Sequence, residues 1–288
     1  MTLKTGIQDF IKLTKPRVVF VVALVTGVGY GLGCEGAFDP MTFAACLFGA
    51  ACLGGGACAL NQVIERGLDA LMKRTAMRPL PDGRLRPSDA LIFGALLGVL
   101  GTGTLAVGTT PLATLIGLVT FFSYLLVYTP MKPRTPHALF VGAVPGALPP
   151  LIGWSAASGT LNFEAGVVFA ILFVWQIPHF MAIAWLYRDD YRAASFPMFT
   201  VRDSDDGRMT ARLTIWSTVL LLLTSLAPLV VGRFSIVYLV GALILGVSFF
   251  MSVSGFIDEM RRDAARRVVR ASLIYLPVLF LLLVLDKI

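Results

Sequence analysis

MTFAACLFGAACLGGGACALNQVIERGLDALMKRTAMRPL, residues 41–80, runs for twenty residues without a charge and then gathers Glu65, Arg66, Asp69, Lys73, Arg74 and Arg78. The apolar half is long enough to cross a ~30 Å hydrocarbon core, which takes about 20 helical residues. In the polar half, Asn61, Glu65 and Asp69 are spaced i, i+4 and i+8, which makes one stripe on a continuing helix. The stretch therefore predicts a spanning helix that emerges from the membrane carrying carboxylates on one face.

Working outward, comparable apolar runs recur at about 17–33, 41–60, 90–107, 111–128, 138–156, 163–187, 211–231, 236–255 and 270–285. Membrane β-barrels need short alternating segments instead, and these runs do not alternate. With 57% hydrophobic and 14% charged residues, the expected fold is all-α. It is a polytopic membrane protein of nine transmembrane helices, one integral-membrane domain over residues 1–288. The N-terminal MTLKTGIQDFIKLTKPR lacks a cleavage-site pattern and reads as an amphipathic helix lying at the interface.

Assigning the N-terminus and every second loop to the cytoplasm places all Lys and Arg there except Arg233 and Lys287, of 24 in the chain. That asymmetry orients the protein and puts the loops at 61–89, 129–137, 188–212 and 256–269 on the cytoplasmic side. The net charge of +7 then needs no nucleic-acid partner; anionic lipid and anionic substrates are its natural company. Of the four cysteines, Cys46, Cys52 and Cys58 fall on different faces of the second span, and with Cys34 they read as small packing residues. Gly54, Gly55 and Gly56 read as sites of close helix approach.

Positive-inside bias explains bases but not acids. The Asn61–Glu65–Asp69 stripe offers hard oxygen ligands of the kind Mg²⁺ accepts while taking its remaining ligands from water or phosphate. Lys73, Arg74 and Arg78 follow as fixed positive charges. A second acidic pair, Asp189 and Asp190, ends the sixth span, and Tyr128, Lys132 and Arg134 follow the fourth. By the topology all three patches share one side and can converge on one cavity, as a cation-bridged diphosphate requires. Asp203, Asp205, Asp206 and the run DEMRRDAARRVVR read as solvated loop charge. VGAVPGALPPLIGW, 141–154, cannot be a regular helix at Pro149–Pro150, and this break either walls a cavity or serves packing.

With these residues in view, nearly the whole chain resembles the UbiA superfamily of intramembrane prenyltransferases. Asn61-x-x-x-Glu65-x-x-x-Asp69 matches its first Asp-rich motif, Tyr128-x-x-x-Lys132 its Tyr/Lys pair, and Arg188-Asp189-Asp190-Tyr191 takes the place of its second motif. Met72-Lys73-Arg74-Thr75, YTPMKPRTP and Pro178-His179-Phe180 are similar to the heme O synthase subfamily. The chain departs from that subfamily at Glu65-Arg66-Gly67, where Gly67 replaces an aspartate. The resemblance implies Mg²⁺-dependent transfer of a farnesyl group from farnesyl diphosphate to the vinyl group of heme B, giving heme O. It implies Asn61, Glu65, Asp69, Asp189 and Asp190 at the metal, and Asn61, Arg74, Arg78, Tyr128, Lys132 and Arg134 at the diphosphate. Asp69, Asp190 and Lys132 are then catalytic. Heme-modifying or terminal-oxidase assembly proteins are the implied partners, and a bacterial inner membrane the implied location.

The second of only two histidines, His179, lies in WQIPHF within the sixth span. A lone ionisable residue at that depth points to function, and imidazole is a common heme-iron ligand; Trp175 and Gln176, one turn away, share the candidate heme face. The bland alternative is a histidine bonded to a neighbouring helix. His137 reads as solvated or facing lipid head groups. A rival acceptor is a quinone-precursor aromatic. A secondary transporter would carry its charges near the midplane on paired halves, which this sequence does not show.

Overall fold

The computed structural model describes residues 3–203, 206–231 and 235–287; Arg233 and Asp205 fall outside the described residues. Among the described residues, nine helices are long and apolar enough to span a membrane, and no strand forms. A short helix α1 (Leu3–Leu13) precedes the spans α2 (Pro16–Gly33), α3 (Pro40–Ala70) and α4 (Pro87–Gly108). The fourth span begins as α5 (Pro111–Phe122), widens into a π-helical turn over Ser123–Tyr128 and ends as α6 (Thr129–Met131). α7 (Ala138–Ala147) and α8 (Pro149–Ser158) share the fifth span, and α9 (Phe163–Leu186) is the sixth. Short helices α10 (Arg188–Ala193) and α11 (Phe199–Arg202) lead to α12 (Arg208–Leu226) with α13 (Pro228–Val231), then α14 (Ile236–Glu259) and α15 (Arg262–Lys287).

Proline opens many of these helices because its missing N–H is unneeded in the first turn. α3 is the clearest case: Pro40 follows Asp39, whose carboxylate accepts from the Met41 and Thr42 amides at 2.9 and 3.4 Å. At about 1.5 Å per residue, its 31 residues exceed what the hydrocarbon core requires. Its last turns therefore project beyond that core with the polar stripe intact. The outward faces are apolar, as with Leu96, Val99, Trp216 and Leu223, all more than 60% exposed, a surface suited to lipid.

Close helix contact rests on absent side chains. A Cβ at Gly56 would come within 2.7 Å of the Gly94 carbonyl, and one at Gly153 within 1.9 Å of the Thr26 carbonyl. Of the triple glycine only Gly56 meets backbone this closely; Gly54 and Gly55 face the side chains of Val22 and Thr14. The three cysteines of α3 are buried and unpaired, as packing residues should be.

The fifth span breaks at Leu148, directly before Pro149–Pro150, as expected; Pro149 opens a new helix, and α8 packs on α2 with residues 149–156 buried. Two expectations need correction. The ninth span starts at Arg262, not near 270, so most of DEMRRDAARRVVR is helical. The i, i+3 ion pair Arg266–Asp263 at 3.5 Å lies within that extension, and Arg267 pairs back across the turn with Glu259 of α14. Asp203 is not solvated loop charge: its carboxylate accepts from the Met209 and Thr210 amides at 3.1 and 2.6 Å, satisfying the open end of α12. Asp206 does pair in the open with Arg208, at 2.5 Å.

Candidate active site

The polar end of α3 is buried although its side chains are charged: Asn61 and Asp69 are 1% exposed and Glu65 4%. Carboxylates taken out of water need compensation, and each finds a cation. Lys132 donates to both oxygens of Glu65 at 3.0 Å. Arg78 donates to Asp69 Oδ2 at 2.7 Å. Lys15 Nζ donates to Asn61 Oδ1 at 3.3 Å, while the Asn61 amide donates to Thr129 Oγ1 at 3.1 Å.

Local chain geometry explains how four segments meet here. Pro130 lacks an N–H and cannot continue a regular α-helix; the preceding turn widens, and Thr129 bonds back to the Tyr124 carbonyl through its Oγ1 at 2.8 Å. That wide turn sets Thr129 against Asn61 and Lys132 against Glu65. Lys15, in left-handed backbone (φ 51°) between α1 and α2, reaches the stripe from the other side. α1 is fastened by Gln62 Nε2 donating to the Leu13 carbonyl at 2.7 Å and by Asp9, which pairs with Lys12 at 3.0 Å and with Arg84. The loop after α3 returns through Thr75, whose hydroxyl donates to the Asp69 carbonyl at 2.7 Å, and so presents Arg78.

That loop also joins the second acidic motif. Met72 packs among Ala184, Tyr191, Ala194 and Phe196, and the Arg74 amide donates to Asp190 Oδ2 at 3.3 Å. The Arg74 guanidinium lies 4.6 Å from the Tyr187 ring centroid, and Lys132 Nζ 5.0 Å from that of Phe196. Asp190 thus joins the first motif. Its neighbour Asp189 does not: it is exposed and pairs with Arg262 and, at 3.9 Å, with Arg192. The Tyr128 ring packs over Gly142, one turn before Lys132. Arg134 and Lys73 are exposed.

The electrostatics are those of an anion site. Burial alone would lower the Lys132 ammonium, but the Tyr128 phenol and the Glu65 carboxylate outweigh it and hold its pKa above the ordinary value. Lys15 is held below its ordinary value by burial, with the Arg78 and Lys132 charges adding to the effect. Three cations therefore crowd one small region. Among the described residues no three His, Cys, Asp or Glu side chains form a self-sufficient metal cage. Asn61, Glu65 and Asp69 are nevertheless a hard oxygen set, which suits a Mg²⁺ that keeps water and phosphate ligands. Gly67 is exposed with open space where a side chain would stand, so the carboxylate missing there is missing from a different face of α3. A cavity of about 380 Å³ lined by Leu32, Trp154, Glu164 and Lys287 includes none of these residues.

Of the candidate heme residues, His179 and Trp175 form a separate cluster between α9 and α15, whereas Gln176 does not share their face and turns to α7. His179 is 8% exposed and its ring stacks on Trp175, centroids 4.7 Å apart and planes 16° apart. His179 Nδ1 lies 2.7 Å from Ser272 Oγ, and Trp175 Nε1 donates to the Ser272 carbonyl at 2.9 Å. Gln176 donates to the Ala143 and Leu172 carbonyls at 3.0 and 3.2 Å. His137 is exposed, its ring edge-on to Phe199 at 5.5 Å.

A model of the UbiA prenyltransferase family matches residues 21–282. The chain belongs to the UbiA prenyltransferase family. A protoheme IX farnesyltransferase of Solibacter usitatus is 43% identical over 289 residues, covering 97% of this chain and 99% of that one. A digeranylgeranylglyceryl phosphate synthase shares the fold with a TM-score of 0.80 at 16% identity, over 97% of this chain and 98% of that one. A UbiA homologue from Archaeoglobus fulgidus, solved with GPP and Mg²⁺, gives 0.67 at 13% identity over 96% and 99%.

Sequence reasoning missed Lys15, Thr129 and Ser272. Lys15 reads as one more positive-inside lysine. Thr129 and Ser272 carry no signal, because their partners lie 68 and 93 residues away.

Proposed function

We propose that this chain transfers the farnesyl group of farnesyl diphosphate to the vinyl group of heme B, giving heme O. We further propose that it does so in a bacterial plasma membrane with the site open to the cytoplasm. The observation that carries the donor half is the buried Asn61–Glu65–Asp69 stripe, met by Lys15, Arg78 and Lys132 and reached by Asp190 through the Arg74 loop. The Archaeoglobus homologue's GPP and Mg²⁺ support the same chemistry here, and the relatives named protoheme IX farnesyltransferase support heme as acceptor.

In this reading Asn61, Glu65, Asp69 and Asp190 hold Mg²⁺, which when bound draws charge from the diphosphate. Lys132 and Arg78 leave their carboxylates for phosphate oxygens, joined by Lys15 and Arg74; Tyr128 flanks Lys132. The farnesyl C1–O bond breaks with its electron pair leaving on the diphosphate. The electron-rich vinyl group then forms the carbon–carbon bond, and water captures the resulting cation and loses a proton. Apolar walls from α9 and the fifth span delay that water until the bond has formed. Asp189, tied to Arg262, takes no part, and Arg134 acts only as loop charge.

Purified protein given Mg²⁺, prenyl diphosphates of several lengths and either heme B or a quinone-precursor aromatic acid tests the proposal by product mass. Heme carrying one farnesyl and one hydroxyl group added across a vinyl group is the expected product. A prenylated aromatic acid with untouched heme would replace this reading by its rival. Cysteine labelling of the 71–86 loop from the outer face would overturn the orientation.

A further inference from the structure

The His179 imidazole is held more tightly than packing requires. Trp175 stacks on one face, and the same tryptophan is anchored to α15 by its bond to the Ser272 carbonyl. Phe180 meets the ring edge-on at 5.4 Å. Ser272, fully buried, fixes the remaining freedom. Its hydroxyl lies 2.7 Å from the Val269 carbonyl and 2.7 Å from His179 Nδ1. A carbonyl can only accept and a hydroxyl has one proton. With that proton given to Val269, Ser272 Oγ must accept, so Nδ1 must carry the hydrogen. In the neutral imidazole the lone pair then sits on Nε2, which has no hydrogen-bonding partner among the described residues.

Metal-binding histidines are commonly prepared in this way: one ring nitrogen donates to a fixed acceptor, which sets the tautomer and aims the other nitrogen at the metal. His179 lies seven residues before the end of α9, about 10 Å along a helix axis from the end that bears Asp190. Resting on the heme reading above, we infer that Ser272 is a positioning residue. It holds His179 with its proton on Nδ1 and presents Nε2 to the iron of the porphyrin acceptor, so fixing which vinyl group faces the farnesyl chain. Trp175 serves the same end by restraining the ring plane.

Ser272→Ala removes one buried hydroxyl and leaves the backbone carbonyl that Trp175 uses. Titrate wild type, Ser272→Ala, Ser272→Thr and His179→Ala with iron protoporphyrin IX and with metal-free protoporphyrin IX. Follow the Soret band, and measure farnesyl diphosphate binding on the same samples. Loss of such an outer partner typically costs about 10–100-fold in metal affinity. Ser272→Ala should weaken the iron porphyrin by that factor and shift its Soret band. Metal-free porphyrin and farnesyl diphosphate should bind as in wild type, and Ser272→Thr, which keeps the hydroxyl, should recover the wild-type spectrum. An equal loss for both porphyrins would mean that Ser272 only shapes the pocket, and the inference falls. It falls equally if Ser272→Ala leaves iron affinity and spectrum unchanged while the wild type still makes farnesylated heme; a wild type that farnesylates no heme defeats the heme reading itself.

Discussion

Replacing Lys132 by methionine keeps the length of the side chain and removes its charge. In the resting protein Lys132 is 17% exposed and holds both oxygens of Glu65, itself 4% exposed, at 3.0 Å. The variant leaves Glu65 charged, buried and without that partner, a change that costs about 3–5 kcal/mol in comparable sites. Lys132→Met/Glu65→Gln removes both charges and should return to within about 1 kcal/mol of wild type, because a neutral pair escapes the desolvation cost. The cycle therefore predicts strong coupling of the two positions, read from unfolding equilibria in mixed micelles. Turnover should behave differently: both variants should be inactive, since diphosphate loses a cation in each and the metal a carboxylate in the double. A Lys132→Met variant destabilised by less than about 1 kcal/mol, or single effects that simply add, would refute the claim that this pair compensates a buried charge.

Asp69→Asn and Asp190→Asn should each lower turnover by about 10²–10³ with the protein still folded, whereas Asp189→Asn, tied to Arg262, should stay near wild type; product formation over a range of Mg²⁺ concentrations checks all three. His179→Ala should lose heme B binding while keeping farnesyl diphosphate binding, the reverse of Asp69→Asn, as titration of one sample with both ligands would show. Burial would raise the Asp9 carboxyl, but its bonds to Lys12 and Arg84 outweigh that and hold it below 3.8. Its contribution to the docking of α1 is therefore complete at neutral pH and lost as the pH falls through that depressed value. Thermal stability of wild type against Asp9→Asn should differ at pH 7 and converge as the pH falls below 3.8; a constant difference would exclude the effect.

The fold was legible because the bilayer imposes it: each apolar run of the right length became a span, and the misjudgements fell at the ends and at the widened turn of the fourth. Arg262 to Arg270 looked like loop, but α15 carries on past the apolar run, with Asp263 and Arg266 paired at helical spacing. The stripe at Asn61, Glu65 and Asp69 was legible for a related reason, since one helix repeat fixes all three. Asp189 and Asp190 show where such reading stops. Neighbours on a helix point about 100° apart, so one reaches the Arg74 amide and the other Arg262, and nothing in the sequence says which. Lys15, Thr129 and Ser272 meet their partners only through tertiary packing, which leaves no periodic trace.

Whether these buried carboxylate–cation pairs are a diphosphate site at rest is tested most directly by a structure with Mg²⁺ and a non-hydrolysable farnesyl diphosphate analogue. It should show Arg78 and Lys132 moved from Asp69 and Glu65 onto phosphate oxygens, with those carboxylates facing the metal. Diphosphate bound elsewhere, with the Arg78–Asp69 and Lys132–Glu65 pairs intact, would contradict it.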